Sequence, residues 1–413
     1  MPQETILAAD LVLPVAAGPI ADGAVLVRDG RIASVGPLAD VRRGAPDAEV
    51  RRFAGCSLVP GAVNAHGHLG FRRQDKPASA PFSVWLRELI SKLPEKESWT
   101  AEAARDSARE AREAGTTYMA ESSPYGECLP QLAESGMAGT VHAEFFPGDY
   151  SGMGPQERVE AIFESVRKMR EGLPARVDAQ VSVHSPYTVD PVSAGLAAVR
   201  SREEGGRLAI HLSESPEEVE FILEGTGGLA GIFESNNWGG RGVSPVQYFE
   251  EAGVLGANVI AAHLATAVSE VDLGILKATN TAAAHCPRSN EYLDCEVSPV
   301  PRMLERGIRV GMGTDGLWSS PSMNLFEETL FAIRLHGMSG ALGLELATLG
   351  GARALGIDDE TGSFEVGKHA DLAVVGVAPE GGDAEMAIVE AAAGGGVAAT
   401  VVSGEFVYNQ TDS

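Results

Sequence analysis

The stretch from Arg207 to Phe221, RLAIHLSESPEEVEF, decides how the chain folds. Leu208, Ala209 and Ile210 form a short apolar run of the kind that makes a buried strand. Ser215-Pro216-Glu217-Glu218 then opens a helix, with Ser215 as N-cap, Pro216 at N1 and Glu218 at N3 in a capping box. A strand passing so quickly into a helix is a βα unit, and it leaves His211 and Glu214 at the strand's C-terminal end. The same texture recurs in GTTYMAES (115–122), TVHAEFF (140–146), VDAQVSVHS (177–185), NVIAAHLA (258–265), TAAAHCP (281–287) and RVGMGTDG (309–316). Amphipathic stretches lie between them. TAEAARDSAREAREAG (100–115) reads as a helix with Thr100 as N-cap and Gly115 as stop, and PQERVEAIFESVRKMREG (155–172) as another. With LVPGAVNAHGH (58–68) the strand-like segments number eight, which predicts an α/β fold with a closed (β/α)8, TIM-like barrel.

The two ends of the chain differ from this middle. TILAADLVLP (5–14) and GAVLVRDGRIASVGP (23–37) read as strands, the second folded at Arg28-Asp29-Gly30-Arg31 into a hairpin. GSFEVGKHADLAVVG (362–376) and AATVVSGEFVYN (398–409) have the same character. Residues 1–59 and 358–413 are therefore expected to form one small β-sandwich domain, with residues 60–357 as the barrel.

Polar residues gather where barrel enzymes place their chemistry, at the C-terminal ends of strands. His66 and His68, at i and i+2 of an extended segment, point to the same side. Alone, such a pair is as readily a loop accident as half of a four-ligand metal site. His184, His211, His263 and His285 each close a strand, and Asp315 closes the last. A single histidine on an apolar strand is usually a satisfied core residue; a ring of them at one rim points to a site.

The chain has 413 residues and a formal net charge of −25, from 57 acidic against 32 basic residues. Such a surface repels phosphates, which excludes nucleic-acid binding as the main function. The four cysteines, Cys56, Cys128, Cys286 and Cys295, show no CxxC spacing and fit a reducing compartment. No signal peptide or membrane-length apolar run is read, so the expected location is the cytoplasm, without a membrane partner.

The strings PGAVNAHGH, SVHSPYT, HLSES, AAHL, HCPRSN and GTDG together resemble the amidohydrolase superfamily, in its branch of cyclic deaminases and chlorohydrolases. ADGAVLVRDGRIASVG and TGSFEVGKHADLAVV are similar to that branch's small β domain. The resemblance implies His66, His68, His211 and Asp315 as ligands of one divalent metal ion, zinc with ferrous iron as the alternative. It implies a single ion because VDAQVSVHS carries no lysine to bridge two. It further implies Glu214 as proton shuttle, His263 as orienting base and Asp315 as ligand and proton acceptor. The residues alone leave Glu214 open to a plainer reading, an acid at a helix start.

The implied activity is hydrolytic release of ammonia from a 6-aminopurine nucleoside. HCPRSNEYLDC (285–295) is most similar to the aminodeoxyfutalosine deaminases of menaquinone biosynthesis. The alternatives are S-adenosylhomocysteine, methylthioadenosine or adenosine, then guanine or triazine substrates; outside enzymes, a non-catalytic barrel scaffold. His184 corresponds to a substrate contact. Arg288 is assigned to the substrate's carboxylate, with a structural clamp as a nearly equal reading. The stretch FSVWL places Ser83 and Val84 before Trp85, where relatives often carry a glutamate that grips ribose. Glu121 and Glu144 are the candidate replacements, or else buried partners of an arginine, and Trp85 lies beside the substrate. The expected partner is thus a small nucleoside-like molecule, with a homodimer left open.

Overall fold

A computed structural model describes residues 4–73, 81–96, 99–150, 152–233, 235–379 and 381–410. Eight parallel strands run in chain order around one sheet: Ala62–His68, Thr116–Pro124, Ala138–Glu144, Val177–Ser182, Leu208–Leu212, Val259–His263, Ala282–His285 and an interrupted eighth. The eighth explains the closure. Its first part, Val310–Met312, pairs with the seventh strand, and its second, Asp315–Gly316, pairs with the first. Between them Gly313 N–H donates to His285 O at 2.9 Å and Thr314 N–H to His66 O at 3.0 Å. Asn64 reinforces the seam: its Nδ2 donates to Thr314 Oγ1 at 2.8 Å and its Oδ1 accepts from Thr314 N at 3.3 Å. These strands are buried on both sides, which is why they read as unbroken apolar runs rather than as alternating ones.

The termini build a second sheet of seven strands, from Glu4–Val12, Ile20–Arg28, Arg31–Pro37, Glu49–Pro60, Leu372–Val375, Val397–Val402 and Glu405–Asn409. A bridge from Arg31 to His369 ties the far edge back to the segment entering Leu372–Val375. The sheet therefore wraps around Leu7, Val25, Ile32, Leu58, Leu372 and Val374, and both layers of the small domain come from one continuous sheet. Arg176 fastens it to the barrel through Asp371, with nitrogen–oxygen distances of 2.8 and 2.6 Å.

One local expectation changes. The helix Thr100–Glu113 has Trp99 at its N-cap, and Thr100 is its first helical residue, buried. Gly115 does follow the helix, at φ +92, where an added Cβ would come within 3.1 Å of Ala373 Cβ. A further helix, Phe82–Lys96, follows the first barrel strand and carries Trp85.

Candidate active site

His66 and His68 end the first strand and aim inward together. Gly67 between them admits the eighth strand: a Cβ there would lie 2.5 Å from Met119 Cε and 3.0 Å from Thr314 Oγ1. That close approach brings Asp315 opposite the pair, with its Oδ1 3.7 Å from His66 Nε2 and 3.4 Å from His68 Nε2. From the fifth strand, His211 sets its Nε2 3.2 Å from His68 Nε2.

His66 Nε2 is buried without a hydrogen-bond partner among the described residues. Burial holds the His66 imidazole below its ordinary pKa against the opposing pull of Asp315, and burial with the neighbouring imidazoles holds His211 well below. Neutral rings with converging lone pairs beside a carboxylate are the donor set of a divalent ion with room for a further ligand. The four residues fit such an ion.

The outer atoms of His211 and Asp315 are tied down. His211 Nδ1–H donates to His184 O at 3.0 Å, which fixes the tautomer that turns Nε2 inward. Asp315 Oδ2 accepts from Ser289 Oγ at 2.6 Å and from Ser319 Oγ, leaving Oδ1 to face the imidazoles. Asp315, His263 and Ser213 all have left-handed backbones, at φ +58, +73 and +50. Left-handed conformation in a residue with a Cβ costs on the order of 1–3 kcal/mol, and such residues collect at functional sites.

Glu214 and His263 form an acid–base pair beside this cluster, Oε1 to Nε2 3.5 Å. Burial, and secondarily the charge of Asp315, pushes the Glu214 carboxyl well above the usual carboxylate range, which favours its protonated form. Burial lowers His263 despite Asp315 and Asn290. His263 Nδ1–H donates to Asn290 Oδ1 at 2.9 Å, which turns the lone pair of Nε2 toward Glu214. A buried carboxyl whose protonated form is favoured, next to an imidazole whose neutral form is favoured, suits general acid–base work.

The loop that carries Glu214 departs from the expected capping box. Ser215 Oγ does accept from Glu218 N–H, at 3.2 Å. The Glu218 carboxylate, however, reaches past Ser215 to the N–H groups of Ser213 and Glu214, at 2.8 and 2.9 Å.

A cavity of about 1250 Å³ opens over His68, His211, Glu214, His263 and Asp315. His184, Trp85 and Glu144 line it. His184 Nδ1 shares hydrogen bonds with Thr188 Oγ1 at 2.8 Å and Ser185 Oγ at 3.0 Å, and burial with the nearby imidazoles of His68 and His66 drives its pKa down to about 3. Trp85 Nε1–H donates to Trp318 O at 3.4 Å. Glu144 offers an oxygen within 4.8 Å of nitrogens of His68 and His211. Glu121, on the second strand, does not line the cavity; it is fully buried and accepts from Ser123 Oγ at 2.9 Å.

Arg288 is elsewhere too. Helix Pro287–Tyr292 begins immediately after the seventh strand, so Arg288 turns back toward the acidic first turn of helix Leu325–His336. There its Nη1 meets Glu327 Oε2 at 2.5 Å and Ser322 Oγ at 3.2 Å, and its N–H meets Glu328 Oε2 at 3.1 Å. Those partners, not a substrate carboxylate, occupy it, and it does not line the cavity.

Three residues escaped the sequence reading. Ser289 and Asn290, on the helix next to Arg288, hold Asp315 and His263 respectively. Arg158, on helix Pro155–Met169, lines the cavity with its Nε buried and no hydrogen bond or ion pair among the described residues. The motif HCPRSN contained the first two; nothing in the sequence distinguished the third.

Comparison with known proteins agrees with this geometry. Residues 57–407 match the model of the amidohydrolase family, and residues 23–48 match an imidazolonepropionase-like composite domain of bacteria. The chain is 32% identical to a 5-methylthioadenosine/S-adenosylhomocysteine deaminase of Syntrophobacter fumaroxidans, over 86% of this chain and 80% of that one. It is 28% identical to a 5'-deoxyadenosine deaminase of Methanothermobacter thermautotrophicus, over 87% and 82%. In fold it is similar to Helicobacter pylori aminofutalosine deaminase in complex with methylthio-coformycin (TM-score 0.85, 24% identity, 98% of this chain and 100% of that one). It is likewise similar to a zinc-bound adenosine deaminase from Xanthomonas campestris (TM-score 0.82, 24% identity, 98% and 93%). Sequence motifs, barrel and family match agree: this chain belongs to the amidohydrolase family, in its branch of cyclic deaminases.

Proposed function

We propose that the barrel, residues 60–357, removes the 6-amino group of an adenine nucleoside by hydrolysis, releasing ammonia. The observation that carries this reading is the Glu214 carboxyl set 3.5 Å from His263, beside the converging nitrogens of His66, His68 and His211 and the carboxylate of Asp315. His66, His68, His211 and Asp315 would hold a divalent ion, zinc in this reading, which would supply hydroxide at neutral pH by acidifying water. Glu214 donates its proton to the ring nitrogen beside the amino-bearing carbon as the hydroxyl adds there. His263, fixed by Asn290, orients the adding water and accepts its proton at Nε2. Asp315 takes the proton of the added hydroxyl as the carbonyl forms and hands it to the amine, the carbon–nitrogen bond breaks to give ammonia, and His263 returns the water's proton to Glu214. His184 bears on the purine from the cavity wall, and Glu144 is placed for the ribose hydroxyls.

The cavity exceeds the roughly 300–1000 Å³ of common ligand pockets, which supports a nucleoside with a long 5′ extension. The Arg158 guanidinium has no partner among the described residues, and a guanidinium pairs well with a carboxylate. Both favour a carboxylated extension. Aminodeoxyfutalosine is the first reading, on the likeness of HCPRSNEYLDC. S-adenosylhomocysteine is the second, favoured by the names of relatives such as that of Syntrophobacter fumaroxidans. The test is ammonia release by the zinc-loaded protein from aminodeoxyfutalosine, S-adenosylhomocysteine, methylthioadenosine, adenosine and guanine. Highest kcat/KM on a carboxylated nucleoside supports the reading; turnover of guanine alone, or of none, overturns it.

A further inference from the structure

We propose that Glu218 is the positioning residue of Glu214, holding the proton donor against His263; this rests on the catalytic role of Glu214 proposed above. Glu218 is completely buried in the first turn of helix Pro216–Glu224. Its two carboxyl oxygens accept from two successive backbone N–H groups, Ser213 at 2.8 Å and Glu214 at 2.9 Å. The left-handed turn at Ser213, φ +50, brings those N–H groups to one side, and successive N–H groups in such a turn make a concave anion site. Here the group in that site is the chain's own Glu218 carboxyl.

The carbonyls of the same two residues are tied from the opposite side by the loop after the sixth strand. Thr266 Oγ1 donates to Glu214 O at 2.7 Å, and the N–H groups of Ala265 and Thr266 donate to Ser213 O at 2.9 and 2.8 Å. All four backbone groups of 213 and 214 are thus held, and Glu218 supplies half of the hold. Without it two buried N–H groups lose their acceptor, and the left-handed turn loses what maintains it. A displacement of about 1 Å at a reacting group costs on the order of 100-fold in rate. His211 has its own anchors, its ladder pairing with Ala262 and its bond to His184 O, so the metal cluster does not depend on Glu218.

The experiment is a double-mutant cycle between Glu218→Gln and Glu214→Gln, read as kcat, KM and bound zinc, with a crystal structure of the zinc-loaded Glu218→Gln protein. The expected result is a fall in kcat of about tenfold or more with KM changed less than about threefold and zinc retained. In the Glu214→Gln background the same substitution should change residual kcat less than about threefold, because partners in one unit are not additive. The crystal structure should show the Glu214 carboxyl displaced from His263. Equal fold losses in both backgrounds, or an unmoved carboxyl with unchanged kcat, overturn the proposal. Should Glu218→Gln not fold, Thr266→Val removes the Oγ1 bond to Glu214 O, loosens Glu214 through its carbonyl, and must give the same non-additive pattern. A wild-type protein that turns over no adenine nucleoside would instead refute the function, and the carboxyl position would still decide the role of Glu218.

Discussion

Replacing Asn290 with leucine should disable the base without touching the metal. Asn290 uses one atom toward His263: Oδ1 accepts from Nδ1–H at 2.9 Å, and Nδ2 has no hydrogen-bond partner among the described residues. Leucine fills nearly the same volume and offers no acceptor. His263 is 1% exposed, so water does not take the place of the lost oxygen. A buried N–H left unsatisfied costs about 1–3 kcal/mol, which shifts the tautomer balance by roughly 5- to 150-fold. In the favoured alternative the proton sits on Nε2 and donates to Glu214 Oε1, 3.5 Å away, so the base becomes a donor to the acid it should serve. We expect kcat on an adenine nucleoside to fall roughly 10- to 100-fold, as for other second-layer partners, with KM and zinc content unchanged. Steady-state kinetics, metal analysis and ¹⁵N shifts of the His263 ring read all three. A kcat within about threefold of wild type, with Nδ1 still protonated, would refute the reasoning.

Three further outcomes follow from the same geometry. Arg158→Met should lower kcat/KM on carboxylated nucleosides by roughly 10- to 150-fold, the worth of a charge-assisted pair, while adenosine changes little; equal losses on both would remove Arg158 from recognition. Arg288→Met should act on stability instead, since it strands the fully buried Glu328, whose pKa burial raises to about 8 even with Arg288 beside it. Breaking such a pair costs about 3–5 kcal/mol, visible in urea unfolding at pH 8.5; a substrate-selective loss at unchanged stability would restore its carboxylate role. Acid should unfold the metal-free protein. Burial holds His142 and His285 at about 3, below the 6.5 of an unfolded imidazole, so the folded state resists protonation that the unfolded state accepts. Their contribution is complete above pH 6.5 and is lost as pH falls toward 3, by about 2 kcal/mol each at pH 5. Unfolding free energies that are flat from pH 7 to pH 5 would contradict this.

The barrel and its metal cluster were legible because parallel strands buried on both faces write themselves as apolar runs, and their last residues stand out as polar. His66, His68, His211, Glu214, His263 and Asp315 all fall at such ends. Arg158 did not show because it lies on a helix, among many arginines, and only the helix's packing against the fourth strand and helix Pro191–Glu203 turns it to the cavity. Ser289 and Asn290 lay within a motif already noticed, but their partners depend on the turn of helix 287–292. The same turn sends Arg288 the other way. A residue's type announced its chemistry; its direction needed the backbone.

The central claim is that Glu214 is the proton donor of a metal-dependent deaminase, and Glu214→Gln tests it most directly. The account predicts zinc content and melting midpoint equal to wild type, with ammonia release from the best nucleoside lowered by about 100-fold or more. Turnover within about tenfold of wild type, or loss of zinc together with activity, would contradict it.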